Sequence, residues 1–299
     1  GMQAIEANRF NIINAPYFYH GAVSLLGEDS DTFIQRYKFN ISPPTDDRPY
    51  FLSSFKWQTL PEIVGLKGQG GMVLLESGYL ILVITLIQAV LASLILVLLP
   101  VLVMTRDKLR GTAWTRPRIA LYFFAIGLGF LFLEIAFIQK FILYLGHPLY
   151  AAAVVLAIFL IFAGMGSQFA RRKNFHAIWP VTIILSLGGI ELVASGMLFN
   201  LLSGLAVPMK VLVAAVMLGP LAFCMGMPFP LALTEIGADV PDLIPWAWAV
   251  NGCASVIAAV LATLLAVHFG FTAVVLISLA LYGIAAVTFP VRQKKRAGA

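Results

Sequence analysis

The chain has 299 residues, of which 60% are hydrophobic and only 11% are charged, and its mean hydropathy is +0.92. Soluble domains contain about 25% charged residues, so this composition argues against a soluble enzyme or binding domain. The formal net charge of +6 does not indicate a nucleic-acid partner, because no stretch interleaves basic and aromatic residues. The sequence predicts an all-α integral membrane protein, with about seven transmembrane helices preceded by a small mixed polar N-terminal segment.

Residues 1–70 form the polar segment, where NAPYFYHGAVSLLG and DTFIQRYKFNI predict short helices and a strand. Seventy residues make at best a marginal independent core, so we interpret the segment as the tail of an α/β domain or a cap on the membrane part. In the connector SPPTDDRPYF, Asp46 and Asp47 are predicted to bond amides of the turn, with Arg48 beside them. A role facing a substrate is the alternative for these residues.

Residues 71–299 form the predicted transmembrane domain. Seven apolar runs are each long enough to cross a hydrocarbon core of about 30 Å at about 1.5 Å per residue. The predicted spans are about 76–104, 118–143, 149–170, 177–200, 207–233, 245–268 and 271–290.

Basic residues are concentrated in alternate loops. The stretches TRDKLRGTAWTRPR, ARRKNFH and VRQKKRAGA follow the first, third and last spans, whereas the loops near Gly146, Ser203 and Gly270 carry almost no cations. Because cytoplasmic loops carry an excess of Lys and Arg, this pattern predicts a cytoplasmic C-terminus. The expected location is a bacterial inner (plasma) membrane, with the N-terminal segment in the periplasm.

Two carboxylates interrupt the predicted spans. Glu134 and Glu191 lie at a similar predicted depth, and ionisable residues at such depth are costly and commonly functional. Gly127 is seven residues before Glu134 on the same helix face, so Glu134 is expected to face another helix. If the two carboxylates met, they would form a proton-binding or cation-binding pair. The alternative is that each is neutralised separately or bonded to a polar neighbour.

Further polar residues lie in or near the spans. Gln139 is a candidate intramembrane polar residue, and Asn251 is predicted to form a hydrogen bond between helices. Lys140 and Lys210 lie near span ends, where their stems can reach the membrane surface. The separation of six residues excludes a local ion pair between Glu134 and Lys140.

The fifth span is rich in helix-breaking residues, namely Gly219, Pro220, Gly226, Pro228 and Pro230. Proline removes a helical hydrogen bond and kinks the helix. Broken helices in membranes occur where the backbone lines a cavity or is covered by protein. The span is thus either a broken helix at a binding site or an ordinary kinked helix.

Motifs for catalysis and metal binding are missing from the sequence. No GxSxG or GxxxxGK[ST] motif occurs, and no GxGxxG follows a predicted strand. Cys224 and Cys253 lie in apolar helical sequence, and the four histidines lack zinc-site spacing. The chain is therefore predicted to contain no catalytic residue, metal site or cofactor.

Three stretches together resemble one protein family. They are ANRFNIINAPYFYHGAVSLLG with YKFNISPPTDDRPYFLSSFKW, then FLEIAFIQKFILYLGHPLYAAAVVLAIFLIFAGMGS, and WAWAVNGCASVIAAVLATLLAVHFGF. They are similar to the C-terminal membrane portion of polytopic bacterial spermidine-synthase-like proteins. That resemblance implies a joined α/β domain related to aminopropyltransferases and methyltransferases. Its cofactor loop and catalytic acids would lie upstream of residue 1, so no site residue is carried over.

Three functions are compatible with these observations. The first is a membrane module that anchors or scaffolds a partner α/β domain or other membrane subunits. The second is a carrier or conduit for a small cation such as a polyamine, which would use Glu134 and Glu191. The third is part of a membrane-bound aminopropyl or methyl transferase with its active site upstream.

Overall fold

The structure is a computed structural model that describes residues 16–50, 53–59, 61, 77–99, 116–172 and 178–289. The chain divides into two compact units. The small unit consists of Gly1–Thr45 and Pro49–Ile81, and the helical unit consists of Asp46–Arg48 and Leu82–Ala299. The turn Asp46–Arg48 is therefore grouped with the helices, although it lies within the polar segment of the sequence.

The small unit contains helices α1 (Tyr17–Leu26) and α2 (Ser30–Arg36), and a short 3-10 helix at Trp57–Thr59. Charged side chains stabilise α2 by complementing its helix dipole, because an acidic residue lies in its first turn and Arg36 lies in its last. The Lys56 ammonium donates to carbonyl groups at the end of this helix, including that of Ile34 at 2.8 Å. No strand occurs among the described residues, so the strand predicted for this part is not found there.

The helical unit follows the predicted spans closely. Helix α3 (Ser77–Ala92, continued by a π-helical turn at Ser93–Leu98) begins in the small unit and continues into the helical unit. The other helices of the helical unit are α4 (Arg116–Leu145), α5 (Pro148–Arg172), α6 (Ile178–Leu201), α7 (Val207–Met225), α8 (Pro228–Asp239), α9 (Ile244–Phe269) and α10 (Phe271–Thr288). Within the described residues, seven helical segments are long and apolar enough to cross a membrane. The predicted class, an all-α membrane protein, is confirmed. Most of the basic loop after the first span and all of the C-terminal tail VRQKKRAGA lie outside the described residues.

Helix α4 packs against α5, α9 and α10, and small residues bring these helices close together. A Cβ atom added at Gly127 would lie 2.9 Å from Ala254 Cβ on α9. The carbonyl oxygen of Gly129 accepts a hydrogen bond of 2.6 Å from Ser278 Oγ on α10. This arrangement is typical of membrane helices, whose association depends on close packing rather than on a hydrophobic driving force.

Helices α5 and α7 form a second close contact. A Cβ atom at Gly166 would collide with the carbonyl oxygen of Phe223, and one at Gly226 would collide with that of Ala163. Each glycine thus meets the backbone of the opposite helix. We use the term close interfaces for the contacts of α4 with α5, α9 and α10 together with this contact between α5 and α7.

The fifth span is kinked at Gly226 and Met227, between α7 and α8. Both residues keep right-handed helical dihedral angles, and Gly226 N still donates to Ala222 O at 3.1 Å. The carbonyl of Pro228 accepts a hydrogen bond of 2.9 Å from Tyr122 Oη on α4. The chain bends there and remains nearly helical, as in the kinked-helix alternative.

Candidate functional site

One end of the helical unit contains a polar cavity of about 490 Å³. It lies where α4 and α6 end and where α7 and α10 begin, and the turn Asp46–Arg48 completes it. Its polar lining includes Asp46, Asp47, Lys140, Asn200, Lys210 and Thr272. Four helices and one turn therefore bring both signs of charge to one cavity. We call this the cavity end.

Asp47 joins the turn to the start of α10. Its Oδ1 accepts hydrogen bonds from Thr272 N at 2.8 Å and from Thr272 Oγ1 at 2.7 Å, while its carbonyl accepts one from Phe271 N at 3.0 Å. Gly270 precedes the helix with φ +87°, and the Asp47 carboxylate occupies the space of a side chain there. A carboxylate at a helix N-terminus binds unpaired amides and complements the helix dipole.

This arrangement corrects the local interpretation of the connector. Asp47 bonds an amide 225 residues away rather than one of its own turn, because the unsatisfied donors at the start of α10 lie beside it. Arg48 also bonds at a distance, donating from Nη1 to His268 O at 3.2 Å. Asp46 is exposed and lines the cavity.

Lys140 has two carboxylates of the helical unit as electrostatic neighbours. Its ammonium is close enough to interact electrostatically with Asp47 and with Glu191, but no ion pair among the described residues contains it. Glu191 is only 8% exposed, and its Oε2 has no hydrogen-bond partner among the described residues. Lys140 is thus the nearby positive charge for a buried carboxylate.

The second ammonium group of the cavity is that of Lys210, and it lies over one ring of a stacked aromatic pair. The rings of Tyr144 and Phe199 stack with centroids 4.8 Å apart and planes 15° apart. Lys210 Nζ lies 5.4 Å from the centroid of the Tyr144 ring, which is a cation–π distance. Tyr144 is 2% exposed and its hydroxyl has no hydrogen-bond partner among the described residues. Lys210 and the Tyr144 ring therefore lie together in the cavity lining, while the Tyr144 hydroxyl is enclosed.

Glu134 lies in different surroundings from Glu191. It is 6% exposed, which confirms that it faces protein. Gly127 on the same face approaches Asn251 and Ala254 of α9. The electrostatic neighbour that the structure gives Glu191 is Lys140, so the structure does not bring the two carboxylates together as a pair.

The remaining predicted polar candidates lie away from the cavity. Gln139 is half-buried on α4 and is not part of the lining. The predicted inter-helix hydrogen bond of the Asn251 side chain is not found among the described residues, because its Oδ1 faces Gly127, which has no side-chain donor. The residues of the fifth-span kink, Gly219 to Pro230, do not line the cavity either. Gly219 instead lies against the Phe162 ring.

Sequence reasoning missed Tyr144 and Thr272, and it placed Lys210 only at a membrane surface. A signal was available for the lysines, since Lys140 and Lys210 both lie near the same side of their predicted spans. No comparable signal connects Asp47 with Thr272. Among the described residues there is no group of three or more His, Cys, Asp or Glu that could hold a metal ion.

The fold and the site define a multi-pass α-helical membrane protein with a cavity of mixed charge at one end of its helices. Comparison with known protein families, curated proteins and solved structures finds no match to the chain. Chemically, the cavity can hold a small polar molecule through ion pairs, hydrogen bonds and contacts with aromatic rings.

Proposed function

We propose that the chain is a membrane-embedded binding module that holds a small charged molecule in the cavity. The observation that carries this proposal is that Lys140 and Lys210 converge there without forming ion pairs to described residues. Charged groups in membrane proteins are costly and typically mark ligand or ion sites. The cavity volume of about 490 Å³ is within the usual range of about 300–1,000 Å³ for small-molecule sites.

The resemblance to spermidine-synthase-like proteins suggests the assembly in which this module would work. In this proposal the helices anchor an α/β domain or another subunit, and the cavity serves that assembly. Transferase chemistry, if the assembly has it, belongs to the α/β domain. The basic loops favour a bacterial inner membrane with the cavity on the periplasmic side.

Polyamine carriage by Glu134 and Glu191 receives less support from the geometry. The two carboxylates have different neighbours, and the ammonium of Lys140 near Glu191 would repel a second cation. The close interfaces would also have to open for a conduit to form along α4.

Cysteine accessibility tests the proposal, with two glycines of α6 as a matched pair. Gly196 lines the cavity, whereas Gly189 lies seven residues earlier, on the same helix face but deeper and outside the lining. A Cβ atom at either position meets nothing within 4 Å, so both tolerate Cys. Each variant is reconstituted in phosphatidylcholine nanodiscs and treated with water-soluble charged methanethiosulfonates, and modification is located by mass spectrometry.

We expect Gly196→Cys to react at least ten times faster than Gly189→Cys. The parent protein gives the background rate, since Cys224 and Cys253 are buried. Equal rates at the two positions, or no reaction at Gly196→Cys, would overturn the proposed cavity.

A further inference from the structure

We infer that the ligand of the cavity is an amphiphilic organic anion, with its carboxylate or phosphate group bound by Lys210 and Lys140 and its apolar part against Leu143 and Val193. This inference rests on the proposed function and specifies the class of molecule. Four features of the helical unit carry it: the positions of the ammonium groups, the engagement of the carboxylates, an unused hydroxyl and an exposed apolar wall.

The first feature is the placement of positive charge. Lys210 extends from the first turn of α7 over the Tyr144 ring, and Lys140 reaches the same cavity from the last turns of α4. A cation–π contact stabilises an ammonium group but leaves its N–H donors available. Both lysines can therefore donate to an anion in the cavity.

The second feature is that the carboxylates are engaged or solvated. Asp47 Oδ1 accepts two hydrogen bonds from Thr272, and the helix dipole of α10 offsets part of its charge. Asp46 is exposed to solvent at the rim, while Glu191 is buried and does not line the cavity. The lining thus carries two ammonium groups and two carboxylates, of which Asp47 is held by Thr272, so both ammonium groups are available to an anion.

The third feature is the hydroxyl group of Tyr144. It is buried without a hydrogen-bond partner among the described residues, which is costly for a polar group. Lys210 lies over the same ring, so a small shift of the enclosed hydroxyl would bring it to an anion that Lys210 binds. An anionic oxygen accepts hydrogen bonds from hydroxyl and ammonium donors together.

The fourth feature is the apolar part of the lining. Leu143 is 61% exposed and Val193 is 82% exposed, and both line the cavity from α4 and α6. Exposed apolar side chains on membrane-spanning helices face the hydrocarbon phase, so the cavity can receive a hydrocarbon chain from the side. The same chemistry fits a lipid with an anionic head group and a soluble amphiphile such as a fatty acid.

The sign of the charge is tested with the Gly196→Cys variant. We expect the anionic 2-sulfonatoethyl methanethiosulfonate to react faster relative to the cationic 2-(trimethylammonium)ethyl reagent than the two do with free cysteine. Adding Lys210→Gln should lower this normalised ratio about fivefold, while Lys210→Arg should preserve it. A preference for the cationic reagent would overturn the inference but leave the proposed cavity standing, whereas an unreactive cysteine would overturn both.

The source of the anion is tested by protection of the same cysteine. The variant is labelled in phosphatidylcholine nanodiscs with octanoate or spermidine added, and in nanodiscs containing phosphatidylglycerol. The uncharged methyl methanethiosulfonate is used as the label here, so that a change in surface charge does not alter its approach. Protection by octanoate indicates a soluble amphiphile, and protection by phosphatidylglycerol indicates a lipid.

Either kind of protection should be lost in the Lys140→Gln, Lys210→Gln double variant. Unchanged size-exclusion elution and helical circular dichroism would show that this variant is folded. Protection by spermidine alone, no protection by either anion, or protection that survives in the double variant would overturn the inference.

Discussion

The close interfaces and the cavity end differ in how tightly their helices pack. At Gly166 and Gly226 the absence of a side chain lets backbones of α5 and α7 touch. At the cavity end, the long side chains of Lys140 and Lys210 and the stacked ring of Tyr144 surround an open volume. Small residues allow close packing at the close interfaces, whereas large polar and aromatic side chains line the open volume at the cavity end.

Both regions contain satisfied and unsatisfied polar groups. In or next to the close interfaces, Ser278 Oγ donates to Gly129 O and Tyr122 Oη donates to Pro228 O, whereas the buried hydroxyl of Tyr282, whose ring packs against Gly129, has no partner among the described residues. At the cavity end, Tyr144 Oη and Glu191 Oε2 remain without hydrogen bonds among the described residues. Unsatisfied buried groups are uncommon and require an explanation. Of the two residues at the cavity end, Tyr144 lines the cavity and Glu191 does not.

The largest effect is expected at a close interface. Gly166→Ala should lower the free energy of unfolding by about 3 kcal/mol or more, because overpacking typically costs about 1–3 kcal/mol and the obstacle here is the backbone of Phe223. The measurement is thermal or denaturant unfolding of purified protein in a fixed detergent or nanodisc.

Gly164 provides the matched control for this substitution. It lies two residues away on the same helix, and a Cβ atom there meets nothing within 4 Å. Gly164→Ala should leave stability unchanged or raise it slightly, because Ala is the better helix former. Equal stabilities of the two variants would show that α5 and α7 are not in backbone contact.

A smaller effect is expected where the cavity turn meets α10. Asp47→Ala removes both hydrogen bonds to Thr272 and should cost about 1–2 kcal/mol, the usual loss for a helix cap. Asp46→Ala should change stability little, because Asp46 is exposed. Unfolding measurements on the two variants make the comparison. An equal loss from both would contradict the capping role of Asp47.

The membrane fold could be predicted from sequence because it depends on a strong signal. Runs of about 20 apolar residues have few stable alternatives to a spanning helix, and the ends of α4, α5 and α6 lie within a few residues of the predicted boundaries. The kink in the fifth span could be anticipated from its prolines. The burial of Glu134 could be anticipated from Gly127 on the same face, because an acid in apolar sequence must avoid lipid.

The candidate site could not be predicted in the same way. The cavity depends on which helices are neighbours, and the contact between Asp47 and Thr272 joins positions 225 residues apart. Hydrophobic periodicity says nothing about the neighbours of a helix that is apolar on all sides. In the sequence Glu191 and Lys140 are therefore unrelated polar residues, and their proximity depends on how α4 and α6 are arranged.

Replacing Glu191 and Glu134 in turn by glutamine should show which of the two acids acts on the cavity end. Glu191→Gln removes a negative neighbour of Lys140. It should raise the anionic-to-cationic reagent ratio at Gly196→Cys about two- to fivefold, the size expected for one screened charge. Glu134→Gln should leave that ratio unchanged. A shift of equal size in both variants would mean that Glu134 also acts on the cavity.

The smallest effects are expected from two tyrosines of α4. Tyr122→Phe removes the 2.9 Å hydrogen bond to Pro228 O and should cost about 1 kcal/mol. Tyr144→Phe removes a hydroxyl that has no partner among the described residues, so it should leave stability unchanged or slightly raised when no ligand is added. Both variants keep the ring, so a difference in unfolding free energy measures the hydroxyl groups themselves. A loss in Tyr144→Phe as large as that in Tyr122→Phe would mean that the Tyr144 hydroxyl is already satisfied, and the cavity would then have no need of a ligand there.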